Sequence, residues 1–134
     1  MRILIADDDE VCCQALLMYV SLLGEVDIAG TGAAAIGSVR TALDQDRPYG
    51  LIFLDILMPG IDGQEVLRQI RSLEAQRGLL GLSGAKVVMT TCLDDRKQVM
   101  SAFRSQAEAY LLKPVDPAKL RQVLRDYGIL GKDV

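Results

Sequence analysis

Four apolar segments of this sequence each end in residues that can do chemistry. Ile3–Ala6 runs into Asp7-Asp8-Asp9, Leu51–Leu54 into Asp55, Lys86–Met89 into Thr90-Thr91, and Ala109–Leu112 into Lys113-Pro114. A carboxylate at the end of a buried strand is costly unless something pairs with it. Two carboxylates about 4 Å apart repel by roughly 4 kcal/mol at an effective dielectric near 20. A cluster of Asp7, Asp8 and Asp55 therefore calls for a cation. Lys113 can supply one charge, and the remaining acidic pocket suits a hard divalent ion with oxygen ligands. Mg²⁺ typically takes one or two carboxylates together with waters and phosphate oxygens.

A plainer account exists for each acid alone. Asp9, Asp62 and Asp95 each precede a stretch of helical period and can serve as N-caps. Singly, capping is the simpler explanation. Four acids, a threonine and a lysine gathered at one sheet edge are poorly explained that way.

The elements that would bring these residues together alternate along the chain. Strands are expected at Ile3–Ala6, Val26–Ala29, Leu51–Leu54, Lys86–Met89 and Ala109–Leu112. Helices are expected over Val11–Leu23, Ala33–Leu43, Gly63–Gln76 and Asp95–Arg104, and from Pro117 to Gly128 after the cap Asp116. The first helix reads with Val11, Ala15, Leu16, Val20 and Leu23 inward. The last reads with Leu120, Val123, Leu124 and Tyr127 inward. Five β-α units imply an α/β fold, a parallel sheet with helices on both faces. Ligands of such sheets lie outside the carboxyl ends of the strands. With the first and third strands as neighbours, Asp7, Asp8 and Asp55 converge there. Lys113 is expected at an exposed part of that edge. The glycine-punctuated apolar segment Gly78–Gly84 reads as a lid over the opposite, amino-terminal edge of the core ahead of a docking site, which it would be if Leu79, Leu80 and Leu82 were exposed together.

Composition excludes several classes of function. The 134 residues suffice for a single domain, 1–134, with a proper core. A net charge of −3 argues against a nucleic-acid surface. Without histidine, a Ser-His-Asp or Cys-His catalytic arrangement is excluded, and so in effect is a His/Cys zinc site. Cys12, Cys13 and Cys92 form no C-x-x-C pair, and the first two read as small hydrophobes. No apolar run is long enough to span a bilayer, and the start of the chain does not read as a signal peptide. A cytoplasmic protein is expected, without membrane or nucleic-acid partners.

The motifs "ILIADDDE", "LIFLDILMPGIDG", "VVMTT" and "YLLKP" resemble, in order and spacing, those of bacterial response-regulator receiver domains. The resemblance covers essentially the whole chain and most closely suits a single-domain, chemotaxis-regulator-like member. It implies a doubly wound, flavodoxin-like three-layer (βα)5 sandwich with strand order 2-1-3-4-5. It implies Asp55 as phosphoacceptor, charged by a sensor histidine kinase or a phosphotransfer protein. Asp8, Asp55 and the backbone carbonyl of Leu57 would ligate Mg²⁺, with Asp7 acting through a water. Thr91 and Lys113 would hold phosphoryl oxygens, and Tyr110 would be the aromatic switch on a surface spanning roughly Asp95 to Tyr127. Pro59-Gly60 would bend the chain so that the Leu57 carbonyl faces the metal. Such a domain assists its own phosphorylation and dephosphorylation without being a turnover enzyme. With no output domain in this sequence, the signal would be read by a separate downstream protein, on a monomer or weak dimer. Leu57 and Leu93 are apolar where some relatives carry polar groups, and Val115 stands where phenylalanine is common.

Three other readings use the same residues. Asp7-x-Asp9-x-Val11 resembles the first motif of haloacid dehalogenase-like phosphohydrolases, with Asp7 as nucleophile. That family needs an acidic pair after the lysine, and only Asp116 lies near. Gly30-Thr31-Gly32-Ala33-Ala34-Ala35 matches a G-x-G-x-x-A dinucleotide pattern, but after the second strand, where a tight turn explains it better. A non-phosphorylated pseudo-receiver that only binds partners would not need every acid, Thr91 and Lys113.

Overall fold

A computed structural model describes residues 1–79, 83–92 and 107–130. The expected helix Asp95–Arg104, Leu93, and the centre of the Gly78–Gly84 segment lie outside the described residues. The elements are β1 (Arg2–Ala6), α1 (Glu10–Val20), β2 (Glu25–Ala29), α2 (Gly32–Asp44), β3 (Leu51–Asp55), α3 (Gly63–Gln76), β4 (Lys86–Cys92), β5 (Ala109–Lys113) and α4 (Pro117–Asp126). All strand pairs are parallel, in the order β2-β1-β3-β4-β5. The doubly wound α/β sheet is therefore present as expected.

Strand alternation divides the core between the two faces of the sheet. Leu4, Ala6, Ile52, Leu54, Val87 and Met89 point to one side, where they meet Ile36 and Val39 of α2 and Val66, Leu67 and Ile70 of α3. Ile3, Ile5, Leu51, Phe53 and Val88 point to the other, against Cys12, Cys13, Leu16 and Val20 of α1 and Leu120 and Leu124 of α4. Both faces are covered, which explains why the central strands read as unbroken apolar runs.

Helix starts follow their caps. Asp9, Thr31, Asp62 and Asp116 each accept from a backbone N–H of the first turn. Thr31 capping α2 disposes of the dinucleotide-like run. Gly32 is required by packing, since a Cβ there would lie 2.7 Å from Val66 Cγ2. At the other end of α4, Gly128 takes the left-handed conformation, φ +76°.

Two inward assignments need correction. Val11 is exposed, and the buried face of α1 is Cys12, Cys13, Leu16 and Val20. Cys12, Cys13, Leu16 and Val20 pack on the sheet, which leaves Val11 on the outer side of the helix. Tyr127 is also exposed; its hydroxyl donates to the Glu108 carbonyl instead of packing inward. Strand β4 extends past Met89 through Thr90 and Thr91 to Cys92. Leu79, at the start of the expected lid, packs against the core cluster under α2 and α3. No helix among the described residues is long and apolar enough to cross a membrane.

Candidate functional site

Strand register assembles the site at the carboxyl edge. Ala6 pairs with Leu54, so Asp7, just past β1, stands beside Asp55. Asp55 itself is the last residue of β3 and pairs with Thr90 of β4. Cys92 pairs with Lys113, which places the lysine one strand further and higher along the edge. Its long side chain folds back over β4 toward the acids.

The Lys113 ammonium lies 2.8 Å from Asp7 Oδ2 and 3.2 Å from Asp55 Oδ2. It donates a hydrogen bond to Asp55, while its approach to Asp7 is an ion pair outside hydrogen-bond geometry, leaving Asp7 Oδ2 buried with no hydrogen-bond donor among the described residues. The Lys113 side chain is only 9% exposed. The expectation of an exposed lysine at the sheet edge is therefore corrected: pairing with two acids draws it inward. Burial alone would favour the neutral amine, but the Asp7 and Asp55 carboxylates override it and raise the lysine's pKa.

Asp55 is 4% exposed. Its Oδ1 accepts from Leu57 N–H at 3.1 Å, closing the turn after β3. Burial first, then the neighbouring Asp7 charge, push its carboxyl from 3.8 up to about 6, against the opposing pull of Lys113 and the Leu57 amide. The turn continues through Pro59 into Gly60, whose φ of +86° is a conformation suited to glycine. It ends where Gly63 N–H donates to the Ile56 carbonyl at 2.8 Å.

Carboxylate oxygens of Asp7, Asp8 and Asp55 lie within 4.8 Å of one another. Asp7 and Asp55 are buried, and Asp8 faces solvent. Three hard oxygen donors with one open side, one of them a buried oxygen lacking a hydrogen bond, fit a small divalent cation that keeps waters. Asp9 is diverted from this cluster. Its side chain caps α1 through Val11 N–H at 3.0 Å, and its own N–H donates to Asp7 Oδ1 at 2.9 Å. That second bond fixes the Asp7 carboxylate.

Thr91 is buried, and its Oγ1 donates a long 3.4 Å bond to the Cys92 carbonyl. Tyr110 is on β5, paired with Met89 of β4, with its side chain half-exposed. The Cys12 thiol is pushed up to about 12 by burial and by a hydrogen bond to Asp7. Cys13 is pushed to about 11, chiefly by burial. Both thiols are protonated and inert near neutral pH, consistent with packing as small hydrophobes. Asp116, the one acid available to a dehalogenase-like metal site, is occupied in capping α4 through Ala118 N–H at 2.9 Å.

One polar cluster is not legible in the sequence. Glu74, buried, accepts from Ala85 N–H at 2.6 Å and pairs with Arg71 at 2.7 Å. Arg71 also reaches Glu108, 3.1 Å away, whose Oε2 accepts from Val87 N–H. These residues tie α3 to the starts of β4 and β5, at the edge opposite the acids. The available signal was an acid at a core position of α3, four residues after Ile70.

Comparison with known proteins bears on this geometry. The family model described as a response regulator receiver domain matches residues 3–125. The chain is 32% identical over 120 residues to the DNA-binding response regulator MtrA of Mycolicibacterium paratuberculosis, covering 89% of this chain and 47% of that protein. It spans about half the length, or less, of the curated relatives it matches. Among solved structures it is similar to a chain of the Saccharomyces cerevisiae complex of the histidine phosphotransfer protein Ypd1 with the receiver domain of Ssk1. There the TM-score is 0.79 at 23% identity, with 96% of this chain and 88% of that chain covered. A chain of the CheX–CheY–BeF3–Mg²⁺ complex from Borrelia burgdorferi gives a TM-score of 0.78 at 23% identity, covering 94% and 87%. At these identities the likeness to solved structures is one of fold.

Proposed function

The chain belongs to the response regulator receiver domain family, the phosphoryl-receiving domain of two-component signalling, and we propose that Asp55 is its phosphoacceptor. The observation that carries this is the Lys113 ammonium bridging Asp7 and Asp55 beside a solvent-facing Asp8. An anionic nucleophile is thus held next to a fixed positive charge, beside an acid that faces solvent.

In this reading an Asp55 carboxylate oxygen attacks the phosphorus of a phosphohistidine on a sensor kinase or phosphotransfer protein. The new P–O bond forms as the P–N bond breaks, and the imidazole leaves with the donor. Lys113 then exchanges part of its contact with Asp55 for a phosphoryl oxygen, retaining Asp7. Thr91 can give up its long bond to the Cys92 carbonyl and donate to a second phosphoryl oxygen. Asp8, Asp55 and the Leu57 carbonyl would hold Mg²⁺, with Asp7 acting through a water. Bound there, the ion supplies charge neutralisation for the oxygens of the transferring group.

The domain signals rather than turning over a substrate, and any acceleration of its own phosphorylation or dephosphorylation resides in these same side chains. Tyr110 is proposed as the switch. A Thr91 drawn toward phosphate would vacate space for the Tyr110 ring, a two-state packing change that a downstream protein can read. A cytoplasmic setting, with no nucleic-acid or membrane partner for this domain, completes the reading and agrees with three free thiols and a net charge of −3.

The test is phosphorylation by acetyl phosphate with and without Mg²⁺, read by intact mass. Wild type should gain one phosphoryl group only with Mg²⁺ present, and Asp55→Asn should gain none. Equal adducts on the two proteins would remove Asp55 from the role and reopen Asp7.

A further inference from the structure

Two threonines stand near the end of β4, and strand alternation sends them to opposite faces of the sheet. Met89 points into the core beneath α2 and α3, so Thr91, two residues on, lies on that side. Val88 points toward α1 and α4, and Thr90 follows it there. The same alternation carries Ile5 on to Asp7, Phe53 to Asp55 and Leu111 to Lys113. Thr90 is the threonine on the face where the acids and the lysine meet. Register brings it closer still. Thr90 pairs directly with Asp55 on the neighbouring strand, about 5 Å away. Lys113 pairs with Cys92, two residues further along β4, while its ammonium reaches Asp55 on β3. The lysine side chain thus crosses β4 between Thr90 and Cys92. Thr90 is 1% exposed, and among the described residues its hydroxyl makes no hydrogen bond. A buried hydroxyl without a partner is costly to fold.

We propose that Thr90 is a second hydroxyl of the phosphoryl-transfer site, a positioning residue that takes over Asp55 as Lys113 leaves it. This role rests on Asp55 being the phosphoacceptor. In the unphosphorylated chain Asp55 Oδ1 accepts from Leu57 N–H and Oδ2 from the Lys113 ammonium. When an arriving phosphoryl oxygen draws the ammonium away, Oδ2 loses that donor. Thr90 Oγ1 then donates to Oδ2, and its lone pairs accept the remaining N–H of the ammonium, which stays held between Asp7 and the phosphoryl group. The bond from Thr90 to Asp55 forms only as the reaction proceeds, so it lowers the barrier instead of tightening the binding of the donor. Thr91 would approach the phosphoryl group over the end of β4 from the other face, so the two hydroxyls do not compete for one place.

Two variants of the full chain, followed over time by intact mass in acetyl phosphate and Mg²⁺, test this role. Thr90→Val removes the hydroxyl and keeps the branched shape. It should slow phosphorylation on the order of tenfold, the worth of one hydrogen bond to a charged group. Its melting temperature should equal or exceed that of wild type, because no hydrogen bond of the resting fold is lost. Thr90→Ser keeps the hydroxyl and loses the methyl group. It should phosphorylate close to the wild-type rate although it melts lower. Thr90→Val reacting at the wild-type rate overturns the role. Thr90→Ser as slow as Thr90→Val also overturns it, by showing that packing beside Lys113 is what counts. Asp55→Asn, run alongside, separates this role from the reading beneath it. An adduct on that protein equal to wild type's refutes Asp55 as acceptor and the part of Thr90 with it. An adduct missing from Asp55→Asn but formed at full rate on Thr90→Val refutes Thr90 alone.

Discussion

Asp55 is held between influences of opposite sign, and the balance is measurable. Burial and the Asp7 charge favour its protonated form; Lys113 and the Leu57 amide favour the carboxylate, and burial with Asp7 prevails, at about 6 against 3.8. The folded protein therefore holds this proton more tightly than the unfolded chain does. Between about pH 4 and pH 6 the contribution of Asp55 to folding stability falls as pH rises, and above that it levels off. In metal-free buffer, denaturant titrations of wild type and Asp55→Asn across this range should diverge by on the order of 2 to 3 kcal/mol, with the variant the relatively more stable at neutral pH. Parallel stability curves would show that Asp55 is not so perturbed. The same charge that makes the site costly to fold is the one available for nucleophilic attack. Function and instability share an atom.

The turn between β3 and α3 carries Asp55 and shows how little room the element has. A Cβ on Gly63 would lie 2.2 Å from the Asp55 carbonyl oxygen and 2.7 Å from Ile56 Cα. The first turn of α3 thus rests directly on the end of β3, and only glycine permits that approach. Gly63→Ala should lower stability by about 1 to 3 kcal/mol, as overpacking against backbone does. It should also weaken divalent-ion binding, because the Asp55 backbone must shift. Unchanged denaturation midpoint and affinity would mean that the helix can retreat without disturbing the strand. At this scale the sequence was legible wherever polarity marks a face. In α3 and α4, charged outer positions left Val66, Leu67 and Ile70, and Leu120 and Leu124, as the evident inner ones. In α1 nearly every residue is apolar, so spacing could not distinguish Val11 from Cys12, and packing against the sheet decided it. The convergence of Asp7, Asp55 and Lys113 was legible because each ends a strand. The inward fold of the Lys113 side chain was not, since it follows from strand register and a pairing across β4. Arg71 and Glu108, 37 residues apart, meet only in three dimensions, and no local pattern announces that contact.

For the molecule as a whole, the acid cluster couples folding to cation concentration. Three carboxylates converge while one lysine pairs with two of them, so the metal-free protein retains repulsion that a divalent ion would relieve. An ion that binds only the folded state stabilises it by RT ln(1 + [L]/Kd), about 2.7 kcal/mol at one hundred times Kd. A rise of several degrees in melting temperature should accompany it in a domain of this size. Simple ionic screening also lessens repulsion between exposed charges, though it acts weakly on buried pairs. Sodium chloride at matched ionic strength therefore separates the two effects. Asp8 supplies the discriminating variant because it is exposed, so replacing it removes a ligand oxygen without opening the core. Asp8→Ala should melt close to wild type in EDTA yet show most of the Mg²⁺-dependent rise abolished. If sodium chloride raises the wild-type melting temperature as far as Mg²⁺ does, or if Asp8→Ala keeps the full Mg²⁺ response, the carboxylates are screened rather than coordinated and the cation is held elsewhere.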